Sequence, residues 1–245
     1  MKQFLKPSDL PFIALCGGLL TLIARLWLLI LGEDERGLLA IGSLPDVLSW
    51  LLVAAIMGLL IAGTWQMQGG VKYNHDSRNS LLAAISMVVA AICFCISSII
   101  DLTSETDAMN RISAWMGFLA TATLIFLAWG RLKGIQFNML FHGLICLYLM
   151  LHLVSHYRLW SSYPQLQSYG FELMAIVFVM LSCYQRAAAD GGHGSRKAYT
   201  FFSLAALFFC IAAIPSCDNI VFFLGCAVWM YFTPCRLTSS SRKEA

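Results

Sequence analysis

Eight long apolar runs divide this chain, and the charges fall almost entirely between them. The hydrocarbon core of a bilayer requires about 20 mostly apolar residues per crossing helix. Such runs occupy residues 11–31, 47–66, 81–100, 112–129, 137–156 and 166–184, with two shorter ones at 198–214 and 219–232. The last two, with the intervening "PSCDN", are too long for a single crossing, and Pro215 would interrupt a continuous helix. They read either as two crossings joined by a tight turn, or as one crossing plus a re-entrant segment. Charged residues are 12 % of the chain, against about 25 % in a soluble globular domain. The fold expected is therefore an all-α integral membrane protein.

Charge sidedness separates the two readings. Basic residues concentrate in cytoplasmic loops close to the ends of spans. Lys2, Lys6, Lys72, Arg78, Arg131, Lys133, Arg186, Arg196, Lys197, Arg236, Arg242 and Lys243, 12 of the 16 basic residues, fall on one side if the chain crosses eight times. The opposite side carries Glu33, Asp34, Glu35, Asp101, Glu105, Asp107 and Asp218, with Arg36, Arg111 and Arg158 among them. Seven crossings would strand the basic C-terminal tail outside. Eight transmembrane helices with both termini cytoplasmic are therefore expected. The N-terminal "MKQFLK" resembles the start of a secretory signal, but the run is long and "GEDERG" follows it in place of a small-residue cleavage site. It reads as a retained helix. Seven of the nine cysteines lie in spans, where Cys behaves as a small apolar residue, and no Cys-x-x-Cys pair is present.

The second and sixth spans align without gaps from their leading prolines: "PDVLSWLLVAAIMGLLIAGTWQ" (45–66) with "PQLQSYGFELMAIVFVMLSCYQ" (164–185). Further anchors recur in the same order. "HDSR" precedes the third span and "HGSR" the seventh; "GRL" ends the fourth and "CRL" follows the eighth; "RLW" occurs at Arg25 and again at Arg158. Interfacial aromatics, arginines and helix-capping serines explain each anchor singly. Their shared order predicts two parallel four-helix repeats, residues 1–134 and 135–245, related by a pseudo-two-fold axis along the membrane normal. The stretch from Arg158 to Ala188, with its "RLW…PQLQ-Y" pattern, resembles a group of small uncharacterised bacterial multi-pass membrane proteins. That resemblance implies a bacterial cytoplasmic membrane and no activity.

Four residues carry the candidate chemistry. Glu172 interrupts an apolar run at a position where the first half has Val53, so the architecture alone does not demand a carboxylate there. It reads either as an acid favoured by a helix N-terminus and still wet, or as an inward-facing ligand group. Arg25 lies inside the first span at similar depth, where it either snorkels outward or pairs with Glu172. His152 and His156 share a helix face four residues apart; with Glu172, Asp101 or Glu105 they could hold a metal, or they serve as interfacial hydrogen-bonding groups. His142 is expected to bond a neighbouring helix. His75, Ser77 and Arg78, like His193, Ser195 and Arg196, read as helix caps with headgroup contacts, or as a paired anion site. Trp65, Trp129, Trp160 and Tyr184 read as interfacial anchors.

The sequence lacks His-Glu-x-x-His, a Gly-Lys-Ser/Thr phosphate loop and Gly-x-Ser-x-Gly, and its loops are too short for a soluble catalytic domain. No cofactor is implied; haem is disfavoured because the first four spans contain no histidine. The scattered basic groups do not suit nucleic acid. Three functions remain: small-molecule or ion binding and transport between the two halves, a non-catalytic membrane partner or sensor subunit, and a metal-dependent membrane enzyme.

Reporter fusions after Lys133 and after Lys243 should both read cytoplasmic, and a tag inserted at residues 33–36 should read external. An external C-terminal reporter would rule out eight crossings.

Overall fold

The structure, a computed structural model, describes residues 7–31, 43–67, 80–104, 108–135, 138–160 and 169–240. The acidic loop at 33–36, the His75–Arg78 anchor, Glu105, Asp107, Pro164, Lys2, Lys6, Arg242 and Lys243 lie outside the described residues, as does the side chain of Arg236. After a short 3₁₀ turn at Pro7–Asp9, the described residues form eight α-helices: α1 Leu10–Leu31, α2 Leu44–Trp65, α3 Leu81–Ser104, α4 Ala108–Lys133, α5 Leu140–Trp160, α6 Gly170–Asp190, α7 Arg196–Ala213 and α8 Ile220–Ser240. Among the described residues there is no strand. Helices α1 to α7 are long and apolar enough to cross a membrane, which gives the chain a multi-pass architecture.

The final helix differs from the other seven described. Its apolar part, Ile220–Pro234, covers about 22 Å at 1.5 Å per residue, less than a full hydrocarbon core. Yet α8 runs the length of the bundle. Phe222 near its start packs against His152 at 4.6 Å between ring centroids, while Trp229 and Met230 reach a cavity shared with Arg131 and His142 at the other end. The turn before it is tight: Asn219 accepts from the Phe222 amide (3.3 Å), capping α8, and donates to Ser97 of α3 (2.8 Å). The expected pair of helices joined by a short turn is therefore present.

Sequential neighbours pack along most of the chain: α1 on α2, α3 on α4, α4 on α5, α5 on α6, α6 on α7 and α7 on α8. The closure comes from non-sequential pairs, α3 on α8 and α1 and α2 on α7. Helix α7 is central, with 14 of its 18 residues buried. Helix α2 is peripheral, with four buried residues, Ser49, Leu60, Gly63 and Thr64, in 22. Large apolar side chains such as Ile30, Trp65 and Leu82 point outward, as lipid-facing residues do. Several polar side chains inside the bundle are locally satisfied: Thr21, Thr64, Ser98 and Thr233 bond carbonyls of the preceding turn, and Ser182 meets Ser203 across α6 and α7 at 2.7 Å.

Two glycines have clear reasons. Helix α6 ends in a Schellman motif: the His193 amide donates to Ala188 (2.8 Å), the Gly192 amide donates to Ala189 (3.0 Å), and Gly192 has φ +86°. Gly225 lets α8 approach α3, since a Cβ there would stand 2.5 Å from the Cys93 Cβ. Gly225→Val should lower resistance to unfolding in mixed detergent by about 1–3 kcal/mol through overpacking. Gly58→Ala, at a position with open space around it, should leave it unchanged or slightly raised. Equal effects would contradict the packing described.

Candidate functional site

One end of the bundle is formed by the C-termini of α1, α3, α5 and α7 and the N-termini of the helices that follow them. It carries Asp46, Asp101, Glu172 and Asp218, and we call it the acidic end. Two polar clusters lie there, and each draws on both halves of the chain.

The first cluster surrounds Arg25 and Glu172. Arg25 is buried (5 % exposed) and does not snorkel to the surface. Its Nη2 donates to Ser216 Oγ (2.7 Å) in the α7–α8 turn, and its guanidinium sits 4.0 Å over the Phe171 ring. Glu172 is also buried (2 % exposed), so the wet-edge reading of this carboxylate does not hold. Ser216 lies beside the Glu172 carboxyl as well, so one hydroxyl stands between the acid and the base. Oε1 of Glu172 has no hydrogen-bond partner. Phe171 is wedged between Trp50 of α2 (5.2 Å) and Phe209 of α7 (6.1 Å), which fixes the cation–π platform. The placement of Glu172 in the first turn of α6 also suits the positive end of that helix.

The second cluster holds the histidines. His152 and His156 of α5 lie with ring centroids 4.2 Å apart, and Asp101 of α3 joins them. One ligand atom from each of the three lies within 4.8 Å of the others. Of the three acids that could complete a site with the histidines, Asp101 is the one grouped with them among the described residues, and Glu172 is not a member of this group. The reason is helical register. Asp101 comes up the last turn of α3 as His152 and His156 come up the end of α5, whereas Glu172 is turned toward α1 and the α7–α8 turn. The two clusters are neighbours, because Asp218 lies in the electrostatic field of both Glu172 and His156.

Three features of the second cluster suit a cation. His152 is buried (2 % exposed), and its Nδ1 has no partner at hydrogen-bond distance; Asp101 Oδ2 is 3.9 Å away. Asp101 stands at a helix C-terminus, where the macrodipole disfavours a negative charge by about 0.3–1 kcal/mol. A bound cation would offset both. Third, two imidazoles and a carboxylate are the ligand types of divalent transition-metal sites. Ligand atoms in a tetrahedral site with bonds of about 2.0–2.2 Å stand about 3.4 Å apart, so the set would contract by roughly 1 Å around an ion. Supporting contacts already hold its frame: Phe222 packs on His152, Ser155 bonds Asn110 between α5 and α4, and Asn219 ties α8 to α3. Cys217 is a poor candidate for a further ligand. Burial, and then the nearby Glu172 carboxyl, push its thiol up to about 12, so it stays protonated near neutral pH.

His142 faces a neighbouring helix, with its Nδ1 3.0 Å from Asp190 Oδ2 of α6. Ser195 caps α7 by accepting from Ala198 (3.5 Å), while His193 is exposed. The side chains of Trp65, Trp129 and Tyr184 are exposed, as anchors would be. Ser216 and Asn110 were not singled out by sequence; a serine in the turn before the last apolar run, and an asparagine just before the fourth, were the signals available. No family model matches the chain, and neither a curated protein nor a solved structure shows significant similarity to it.

The Arg25–Ser216–Glu172 arrangement makes a prediction about stability. Arg25→Met should destabilise the bundle strongly, and adding Glu172→Gln should restore part of the loss. A double-mutant cycle read by unfolding in mixed detergent should give a coupling of about 0.5–3 kcal/mol. Strict additivity would show that the two side chains act independently.

Proposed function

We propose that this protein is a small-ion-binding membrane protein whose acidic end captures a divalent transition-metal ion at Asp101, His152 and His156, as the loading site for passage between the two helical halves. The observation that carries this reading is the convergence of those three ligand types, one from the first half and two from the second, within 4.8 Å of one another. Charge sidedness supports an outward-facing site in a cell membrane, since the basic loops lie at the opposite end. The Arg25–Glu172 cluster is the positioning element for the α7–α8 turn, which carries Asp218 toward His156.

A second reading, a sensor or partner subunit that binds the ion without passing it, is favoured by one observation. Directly beneath the histidines, Phe94, Tyr148, Phe222 and Trp229 form a buried aromatic layer, with Phe94 5.5 Å from Tyr148 and 5.1 Å from Phe222. Passage would require that layer to open. A metal-dependent enzyme is the least supported of the three, because no general acid or base motif accompanies the ligands.

Protein purified in mild detergent, dialysed against zinc or cobalt and assayed by elemental analysis should retain about one equivalent. His152→Ala should weaken affinity by more than the roughly 10–100-fold that follows loss of a mere supporting contact. Asp101→Asn should also weaken it, and Glu172→Gln should leave the stoichiometry intact. Absence of stoichiometric metal, or its full retention by His152→Ala, would overturn the proposal. Metal-dependent flux into proteoliposomes would favour passage, and binding without flux would favour the sensor reading.

A further inference from the structure

The opposite, basic end contains a cavity that the metal reading does not use. It is lined by Arg131 of α4, His142 of α5, Ser182 and Arg186 of α6, Tyr199 of α7 and Trp229 of α8, with apolar neighbours completing the wall. It has room for about one water-sized body. Two features set it apart from an ordinary packing defect.

The first is an excess of donors. Arg131 Nη2 and Trp229 Nε1 are buried and have no hydrogen-bond partner, although both residues line the cavity. Arg131 is 9 % exposed and Trp229 3 %. Neither group can accept a hydrogen bond: guanidinium and indole N–H are donors only. A buried donor left unpaired costs about 1–3 kcal/mol, so an acceptor belongs between them.

The second is charge. Two guanidiniums line the cavity and no carboxylate does, among the described residues. Asp190 lies behind the wall, 3.4 Å from Arg186 and 3.0 Å from His142, and its single charge is shared among Arg186, His142 and Arg131. Arg131 and Arg186 repel each other, Tyr199 gives Arg131 a hydrogen bond, and Asp190 is one negative charge against two guanidiniums. An anion in the cavity would balance the second guanidinium and take both orphan donors. The Schellman turn at Gly192 closes α6 one turn beyond Arg186, which keeps Arg186 and Asp190 in register with the cavity.

We propose that this cavity, widened slightly by movement of the long Arg131 and Arg186 side chains, binds one small monovalent anion of halide size, held by Arg131 Nη2 and Trp229 Nε1 and balanced by the paired guanidiniums of Arg131 and Arg186. The site joins α4, α6 and α8 at the basic end, so occupancy would tighten contacts between the two halves there. It does not depend on metal binding at the acidic end.

The test uses the full chain in mild detergent, with its thermal unfolding midpoint followed as sodium chloride or bromide replaces sodium gluconate at constant ionic strength. The midpoint should rise and saturate along a single-site curve. Trp229→Phe keeps the ring packing while deleting the donor, and its half-saturating halide concentration should be about tenfold higher or more. Arg131→Gln should abolish the halide dependence. If Arg131→Gln fails to fold, the wild-type titration and Trp229→Phe still decide the matter. A midpoint equal in chloride and gluconate, a rise that never saturates, or an unchanged half-saturation in Trp229→Phe would each show that the cavity holds water alone.

Discussion

Inside hydrocarbon there is no water to satisfy a polar group, so every such group in this chain must find its partner within the bundle or sit at an end. Helix α7 feels this most. Contacts with α1, α2, α6 and α8 leave it little surface for lipid, and its buried stretch is built from Ala205, Ala206, Leu207, Phe208, Ala212 and Ala213. Small residues permit close approach by its neighbours, and packing supplies the attraction that the hydrophobic effect cannot supply between helices in lipid. Its polar residue Ser203 is paired across to Ser182. The remaining ionisable side chains of the described interior are displaced to the two ends, and that displacement creates both candidate sites.

The ends differ in chemistry for a reason rooted in helix direction. At the acidic end the C-termini of α3 and α5 bring their negative dipole ends close to Asp101, His152 and His156, which suits a cation. At the basic end two arginines and an indole N–H converge with no carboxylate on the cavity wall among the described residues, which suits an anion. The aromatic layer around Phe94, Tyr148 and Phe222 separates the two. Each site takes residues from both halves of the chain, so occupancy at either end bears on how the halves pack.

Much of this was legible in the sequence, and the parts that were not have physical causes. Apolar run length located the eight helices of the described residues, because the bilayer constraint acts on each segment by itself. Boundaries shifted outward: α4 extends to Lys133 and α5 to Trp160, past their apolar cores, because polar ends still complete helical turns at an interface. The sequence placed Glu172, Arg25, His152 and His156 at similar depth, and all four stand toward the acidic end of their helices. It could not say which would meet. Azimuth around each helix decides that, and hydrophobic pattern is a weak guide to azimuth when most faces are apolar. Hence Glu172 went with Arg25 through Ser216, and the histidines took Asp101. The basic-end cavity was hidden for the same reason, since Arg131 and Arg186 read as ordinary membrane-flanking cations. The proposed duplication concerns whole-half superposition; the helix neighbours are not interchangeable between halves, since α6 packs on α5 and α7 while α2 packs on α1 and α7. A duplicated ancestor would have diverged at that contact.

X-ray absorption at the metal edge, on protein loaded with one equivalent of zinc in mild detergent, tests the central claim most directly. The account predicts a first shell of nitrogen and oxygen at about 2.0–2.1 Å with the outer-shell scattering of two imidazoles, and no sulfur. A shell containing sulfur at about 2.3 Å, or one without imidazole scattering, would contradict it by placing the metal away from Asp101, His152 and His156.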